Sequence, residues 1–362
     1  MKFIKSIFFV FLVAIACAVN TDNLVALVQI FRHGERTPIE FYKNDPFKDH
    51  WGDLGTGQLT NEGRRQLYVL GQYTRQRYSQ WLPQKYNKIF FRAETTDVDR
   101  THISGQSYLY GLFPAIDDQI WLENVNWQAI PLHPADPKIV AFTFTTCLQV
   151  LLKNLLATDE FVKINKENAD LYAYLSKNTG NNVSDIYSII SIYDALYIEN
   201  NAGLDLPKWT QKVFPDPMKD LYAFYFKTLT YTAQLKRIYV GTFLNEIVEY
   251  FEKMAADASS APKFQVYCAH DNNVAAILDS FASFEPPYPP EFGSTIWLEL
   301  RKTINDIPYV NVWSKNGDNV TQISINGCDL DCPLYDVKSK LKEILVDVDT
   351  VDKECSSIIK KH

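Results

Sequence analysis

The sequence predicts an α/β fold, an open core sheet with a mostly helical cap inserted into it, and three observations carry that expectation. Two apolar runs, LVALVQIF at 24–31 and the one in KFQVYCAHD at 263–271, have the length and composition of strands buried on both faces. Each runs straight into a polar cluster, RHGERTP after the first and AHDN after the second. Between them, residues 137–236 change texture to helical patterns with many Tyr and few strand-like runs. The expected organisation is therefore a core built from 19–136 and 237–362, with 137–236 as the cap.

From the N-terminus, Lys2 and Lys5 precede an apolar run from Ile7 to Ala16 and the small residues Ala16-Cys17-Ala18. Such a segment reads as a secretory signal over 1–18, and a membrane anchor needs a longer run. The mature chain is expected in the extracellular space, without a membrane anchor. It then keeps Cys147, Cys268, Cys328, Cys332 and Cys355, most of which should pair in an oxidising compartment. Cys328 and Cys332 are spaced to bridge a tight loop, and Cys268, inside an apolar run, reads as a buried inert thiol. Asn182-Val-Ser and Asn319-Val-Thr are glycosylation sequons consistent with secretion.

After the first strand, QLTNEGRRQLYVLGQYTRQRYSQWL places Leu67, Leu70 and Tyr73 at helical spacing, with Thr60 as its cap. KYNKIFF, residues 85–91, reads as a second strand running into a loop that holds Glu94. Beyond the cap, NNVAAILDSF reads as a helix, and STIWLELRK with PYVNVWSKNG as a late antiparallel pair. A chain of 362 residues with 46% hydrophobic content can bury a sizeable core, and it carries neither repeats nor low-complexity tracts. A formal net charge of −7 argues against nucleic acid as a partner.

The polar clusters carry the chemistry, since ligands in open α/β sheets gather beyond the carboxyl ends of strands. Arg32, His33 and Arg36 lie within five residues of one another. Guanidiniums bind phosphate oxygens in bidentate fashion, and a histidine among them can attack phosphorus once the anion is held and neutralised. Gly34 is expected to let the backbone turn tightly around that anion. Asp271, beside His270, suits a general acid that protonates a leaving alcohol, and as an N-cap for the following helix it would also have a structural use.

RHGERTP, GQLTNEG, TDVDRT and AHD together resemble the motifs of the histidine acid phosphatase family, over about Leu24 to Cys355. The resemblance implies a three-layer core with a helical cap, no metal or other cofactor, and catalysis through a phosphohistidine. It assigns His33 as nucleophile, Arg32 and Arg36 as phosphate clamp, His270 as phosphate ligand and Asp271 as general acid. It also implies Cys147–Cys355 and Cys328–Cys332 disulfides, while Ile198 stands where a cysteine of a third bridge is expected.

The family's third motif opens on an arginine, read as completing the clamp, and a gap-free match puts Glu94 in that place. At ~4 Å and an effective dielectric of ~20 a charge pair is worth ~4 kcal/mol, so a carboxylate there predicts weak or absent phosphate turnover. Glu94 with Asp271 would then offer two carboxylates to an organic ammonium enclosed by aromatic rings. The combination is similar to the salivary acid-phosphatase-like proteins of blood-feeding fleas, which implies a secreted binder of biogenic amines such as serotonin and catecholamines, or of cysteinyl leukotrienes. Two alternatives stand beside it. Glu94 pairs with Arg92 or Arg36 as a structural ion pair, or Arg92 replaces the displaced arginine and the chain is an active phosphatase acting on phosphate monoesters.

Overall fold

The computed structural model describes residues 20–140 and 145–361, and the signal-like segment lies outside them. Among the described residues eight strands form one sheet: β1 (Leu24–Arg32), β2 (Phe91–Thr95), β3 (His133–Pro134), β4 (Phe264–Ala269), β5 (Thr295–Lys302), β6 (Pro308–Asn316), β7 (Asn319–Ile323) and β8 (Cys332–Pro333). Their order is β3-β2-β4-β1-β5-β6-β7, with β8 joined to β6. The first four in that order run parallel. β5, β6 and β7 continue antiparallel, so STIWLELRK and PYVNVWSKNG do form the expected pair.

Among the described residues the helices are α1 (Asn61–Arg77), α2 (Asp99–Leu112), α3 (Thr146–Leu156), α4 (Asp159–Glu167), α5 (Ala169–Thr179), α6 (Ile190–Asn201), α7 (Met218–Thr228), α8 (Ala233–Tyr239), α9 (Gly241–Ala256), α10 (Asp271–Ser280), α11 (Leu334–Leu341) and α12 (Val348–Lys361). None is long and apolar enough to cross a membrane.

Side chains of β1 alternate between two cores, as a strand buried on both faces requires. Ala26, Val28 and Ile30 enter one hydrophobic cluster, together with Phe243, Ile247 and Phe251 of α9 and Val274 and Ile277 of α10. Leu27 and Phe31 enter the other, against Leu67 and Leu70 of α1 and Tyr108 and Leu112 of α2. Helices thus cover both faces of the sheet, giving three layers. The first cluster also takes in Leu196 of α6 and Phe226 of α7, which ties the helical segment to the sheet.

Thr60 caps α1 by accepting the Gly63 amide at 3.0 Å. Cys147 is joined to Cys355, tying α3 to α12, and Cys328 to Cys332, while Cys268 remains a buried free thiol. Both sequon asparagines, Asn182 and Asn319, are exposed. The second strand is displaced from its expected place. In KYNKIFF the Asn87 carbonyl accepts the amides of Phe90 and Phe91, and its side chain accepts the Ile89 amide, which makes a turn instead of a strand. β2 begins only at Phe91, so Glu94 lies in a strand and not in a loop.

Candidate active site

Four segments converge beyond the carboxyl ends of the parallel strands. Arg32 is the last residue of β1 and leads into the loop of His33 and Arg36. β4 ends at Ala269, and His270 then caps α10, with Asp271 as its first helical residue and not its cap. The start of α2 contributes Arg100, and the middle of α6 contributes Asp194. Two helix N-termini at this edge favour negative charge in the pocket.

His33 is buried, and its Nδ1 lies 2.8 Å from the Gly34 carbonyl oxygen. A carbonyl only accepts, so Nδ1 carries the proton and Nε2 keeps its lone pair. Burial first, then the positive charges of Arg32 and Arg100, hold the imidazole well below the ordinary histidine range, so it stays neutral in mildly acidic solution. The His270 ring stands 5.4 Å away, edge on. Arg100 Nη2 approaches His270 Nδ1 at 3.5 Å, and His270 Nε2 lies 2.9 Å from Thr96 Oγ1. Since a guanidinium only donates, Nδ1 accepts and Nε2–H donates to the threonine. Burial and then Arg100 push His270 down to about 3.

Three guanidiniums surround the two imidazoles. Arg36 is held by Asp194 in a two-point fork, at 2.8 and 3.0 Å. Arg32 gives Nη2 to Asp271 at 2.8 Å and Nη1 to the Pro290 carbonyl at 2.6 Å. Arg100 is pulled down to about 10 by burial and then by Arg36. In all three, Nε is buried without a hydrogen-bond partner, a donor set that fits an anion. Against these three cations stand the carboxylates of Asp194 and Asp271, which leaves a net positive pocket when both imidazoles are neutral. Burial alone would raise the Asp271 carboxyl, but Arg32, Arg36 and His270 outweigh it and hold the group below its usual range.

Glu94, on β2, is paired with Arg92. Its Oε1 accepts from Arg92 Nε at 2.6 Å, with the Arg92 side chain about half exposed. Its charge bears on Tyr267 and Glu246, on the β4 and α9 side of β2. The pair with Arg92 is the structural ion pair that stood as one alternative for Glu94, and a third guanidinium at the site comes from Arg100, six residues on in the same motif. Asp271 is engaged by Arg32. The reason for Gly34 is also different, because a Cβ there would meet the Gly63 carbonyl oxygen at 2.3 Å. Gly34 is needed for the close approach of α1 to the loop.

A cavity of about 450 Å³ opens from Arg36, Asp194 and Asp271 and is walled by Tyr187, Tyr222, Tyr225 and Phe226. Sequence reasoning assigned no role to these rings, to Asp194 or to Arg100. Arg100 lay inside a quoted motif, whereas Asp194 in SIYDALY has no local signal.

Fold and site together define a three-layer α/β protein with a histidine-centred anion pocket. The profile described as Histidine phosphatase superfamily (branch 2) matches residues 23–149. Bovine prostatic acid phosphatase is 30% identical over 358 residues, covering 95% of this chain and 90% of that protein. Rat lysosomal acid phosphatase is 30% identical over 367 residues, covering 94% and 86%. Among solved structures, the apo phytase of Hafnia alvei superposes with a TM-score of 0.65 over 90% of this chain and 97% of its own, at 16% identity. The chain belongs to the histidine acid phosphatase family, branch 2 of the histidine phosphatase superfamily.

Proposed function

We propose that this chain is an active acid phosphatase that hydrolyses phosphate monoesters through a phosphohistidine on His33. One observation carries the reading: a neutral, buried imidazole with a free Nε2 lone pair sits among three guanidiniums, each with an unpaired buried Nε donor. That arrangement suits a transferring phosphoryl group, whose charge spreads over three oxygens.

In the first step His33 Nε2 forms a bond to phosphorus while the ester P–O bond breaks, and Asp271 gives its proton to the leaving oxygen. In the second, water attacks phosphorus, the Asp271 carboxylate takes its proton, and the Nε2–P bond breaks to release phosphate. The aromatic cavity beside Asp271 gives the leaving group a place to lie. The Cys147–Cys355 and Cys328–Cys332 disulfides, the exposed sequons and the signal-like N-terminus support reading it as a secreted enzyme. The pairing of Glu94 with Arg92 favours this reading over the mediator-binding alternative.

The test is p-nitrophenyl phosphate hydrolysis near pH 5 by wild type and His33→Ala, with acid quenching to trap an acid-labile phosphoenzyme. Turnover and trapping that both vanish in the variant are expected. Turnover that survives in His33→Ala, or a folded wild type without turnover, would sink the proposal.

A further inference from the structure

We propose that Phe292 is a positioning residue for the phosphate site, its ring carrying the Arg32 guanidinium and fixing the edge presented to the phosphoryl group. The inference rests on the phosphatase reading above. Arg32 Cζ lies 4.0 Å from the centre of the Phe292 ring, within the range in which a ring face attracts a cation. The same ring stands 6.0 Å from that of His33.

The segment that carries Phe292 grips the nucleophile strand at three further points. Ser294 O accepts the Arg32 amide at 2.9 Å, Pro290 O accepts Arg32 Nη1 at 2.6 Å, and the Gly293 amide donates to His33 O at 3.2 Å. With Nη1 on Pro290 and Nη2 on Asp271, only Nε lacks a partner. A planar guanidinium held at two corners and on one face cannot rotate, so Nε keeps a single direction.

Phe292 is itself backed by Tyr197 of α6, with ring centres 6.0 Å apart. One turn earlier on that helix, Asp194 holds Arg36. A single helix face therefore sets two clamp arginines, Arg36 directly and Arg32 through Phe292. An aliphatic side chain would keep the volume but lose the ring's attraction for the cation.

The experiment compares Phe292→Leu, Phe292→Tyr and Phe292→Trp with wild type. It measures the inhibition constant of inorganic phosphate, kcat/KM for p-nitrophenyl phosphate across the acid range, and thermal unfolding. Phe292→Leu is expected to weaken phosphate binding and lower kcat/KM by about tenfold, at an unchanged melting temperature. The Tyr and Trp variants should stay within about threefold of wild type. A Leu variant with the wild-type inhibition constant and kcat/KM would overturn the proposal, as would a loss shared equally by all three variants. Wild type that neither binds phosphate nor turns over would instead bring down the phosphatase reading, and this inference with it.

Discussion

Which residue completes the clamp is decided by a pair of substitutions with opposite expected outcomes. Arg100→Gln removes a guanidinium whose Nε is buried and unpaired and whose Nη2 reaches His270. A unit charge ~4 Å from a phosphoryl oxygen at an effective dielectric of ~20 contributes ~4 kcal/mol. Relaxation of Arg32 and Arg36 toward the anion recovers part of that, leaving a loss of ~2–3 kcal/mol, or ~30–150-fold in kcat/KM. The variant should also fail at higher pH on the acid side, since Arg100 helps to hold His33 neutral and its removal lets the imidazole protonate sooner. Glu94→Arg, by contrast, breaks a partly exposed ion pair with Arg92 and should change turnover by less than about twofold. The assay is kcat/KM for p-nitrophenyl phosphate with phosphate inhibition, from pH 4 to 7. Arg100→Gln within threefold of wild type, or Glu94→Arg raising turnover tenfold, would refute the placement of the third cation.

Two further predictions concern stability. Glu199 is fully buried beside Asp45, and burial, followed by the hydrogen bond and charge it shares with Asp45, raises its carboxyl above the ordinary range. The folded state therefore keeps a proton that the unfolded state releases, so stability falls as pH climbs from about 4.5 through neutrality, by at most ~1.4 kcal/mol per unit. Glu199→Gln should flatten that decline in melting temperature, and an unchanged pH slope would exclude Glu199 as its source. Replacing both Cys147 and Cys355 by Ser opens a cross-link spanning 208 residues between α3 and α12 and should cost about 2–5 kcal/mol in denaturant unfolding. Stability equal to wild type would show that the packing of these helices is sufficient alone.

The parallel core was legible because buried strands write themselves as unbroken apolar runs, as LVALVQIF does, and because Thr60 caps a helix by a local rule. KYNKIFF misled for a physical reason: Asn87 can satisfy three amides by itself, and that local turn wins over β propensity up to Phe90. His33, Arg32, Arg36 and Asp271 were legible as site candidates because two short contiguous stretches carry them. Whether Glu94 meets the anion or pairs with Arg92 stayed open in the sequence, because a motif gives order along the chain but not direction in space. Arg92 and Glu94 are two apart on β2, so their side chains share a face and pair, while Arg100 enters from the next helix. Asp194 and Phe292 are brought in from residues far along the chain, and no local pattern announces such contacts.

An apparent conflict in the site resolves once the substrate's own proton is counted. Asp271 must be protonated to assist the leaving group, yet Arg32 and Arg36 hold its carboxyl below the usual range. A phosphomonoester has a second ionisation near pH ~6, so at pH 5 it arrives mainly as a monoanion carrying one proton. When its oxygens engage the guanidiniums, the cations that kept Asp271 ionised are shared with a stronger anion. The ester's proton then has a favourable destination on Asp271, and monoanion plus carboxylate becomes dianion plus carboxylic acid. Activity on the alkaline side should therefore fall with the second ionisation of the substrate, near pH 6, and not with that of free Asp271. Asp271→Asn cannot receive this proton. It should lose about 10²–10⁴-fold on a primary alkyl phosphate but only about tenfold on p-nitrophenyl phosphate, whose leaving group needs little assistance. Equal losses on the two substrates would remove Asp271 from the proton's path.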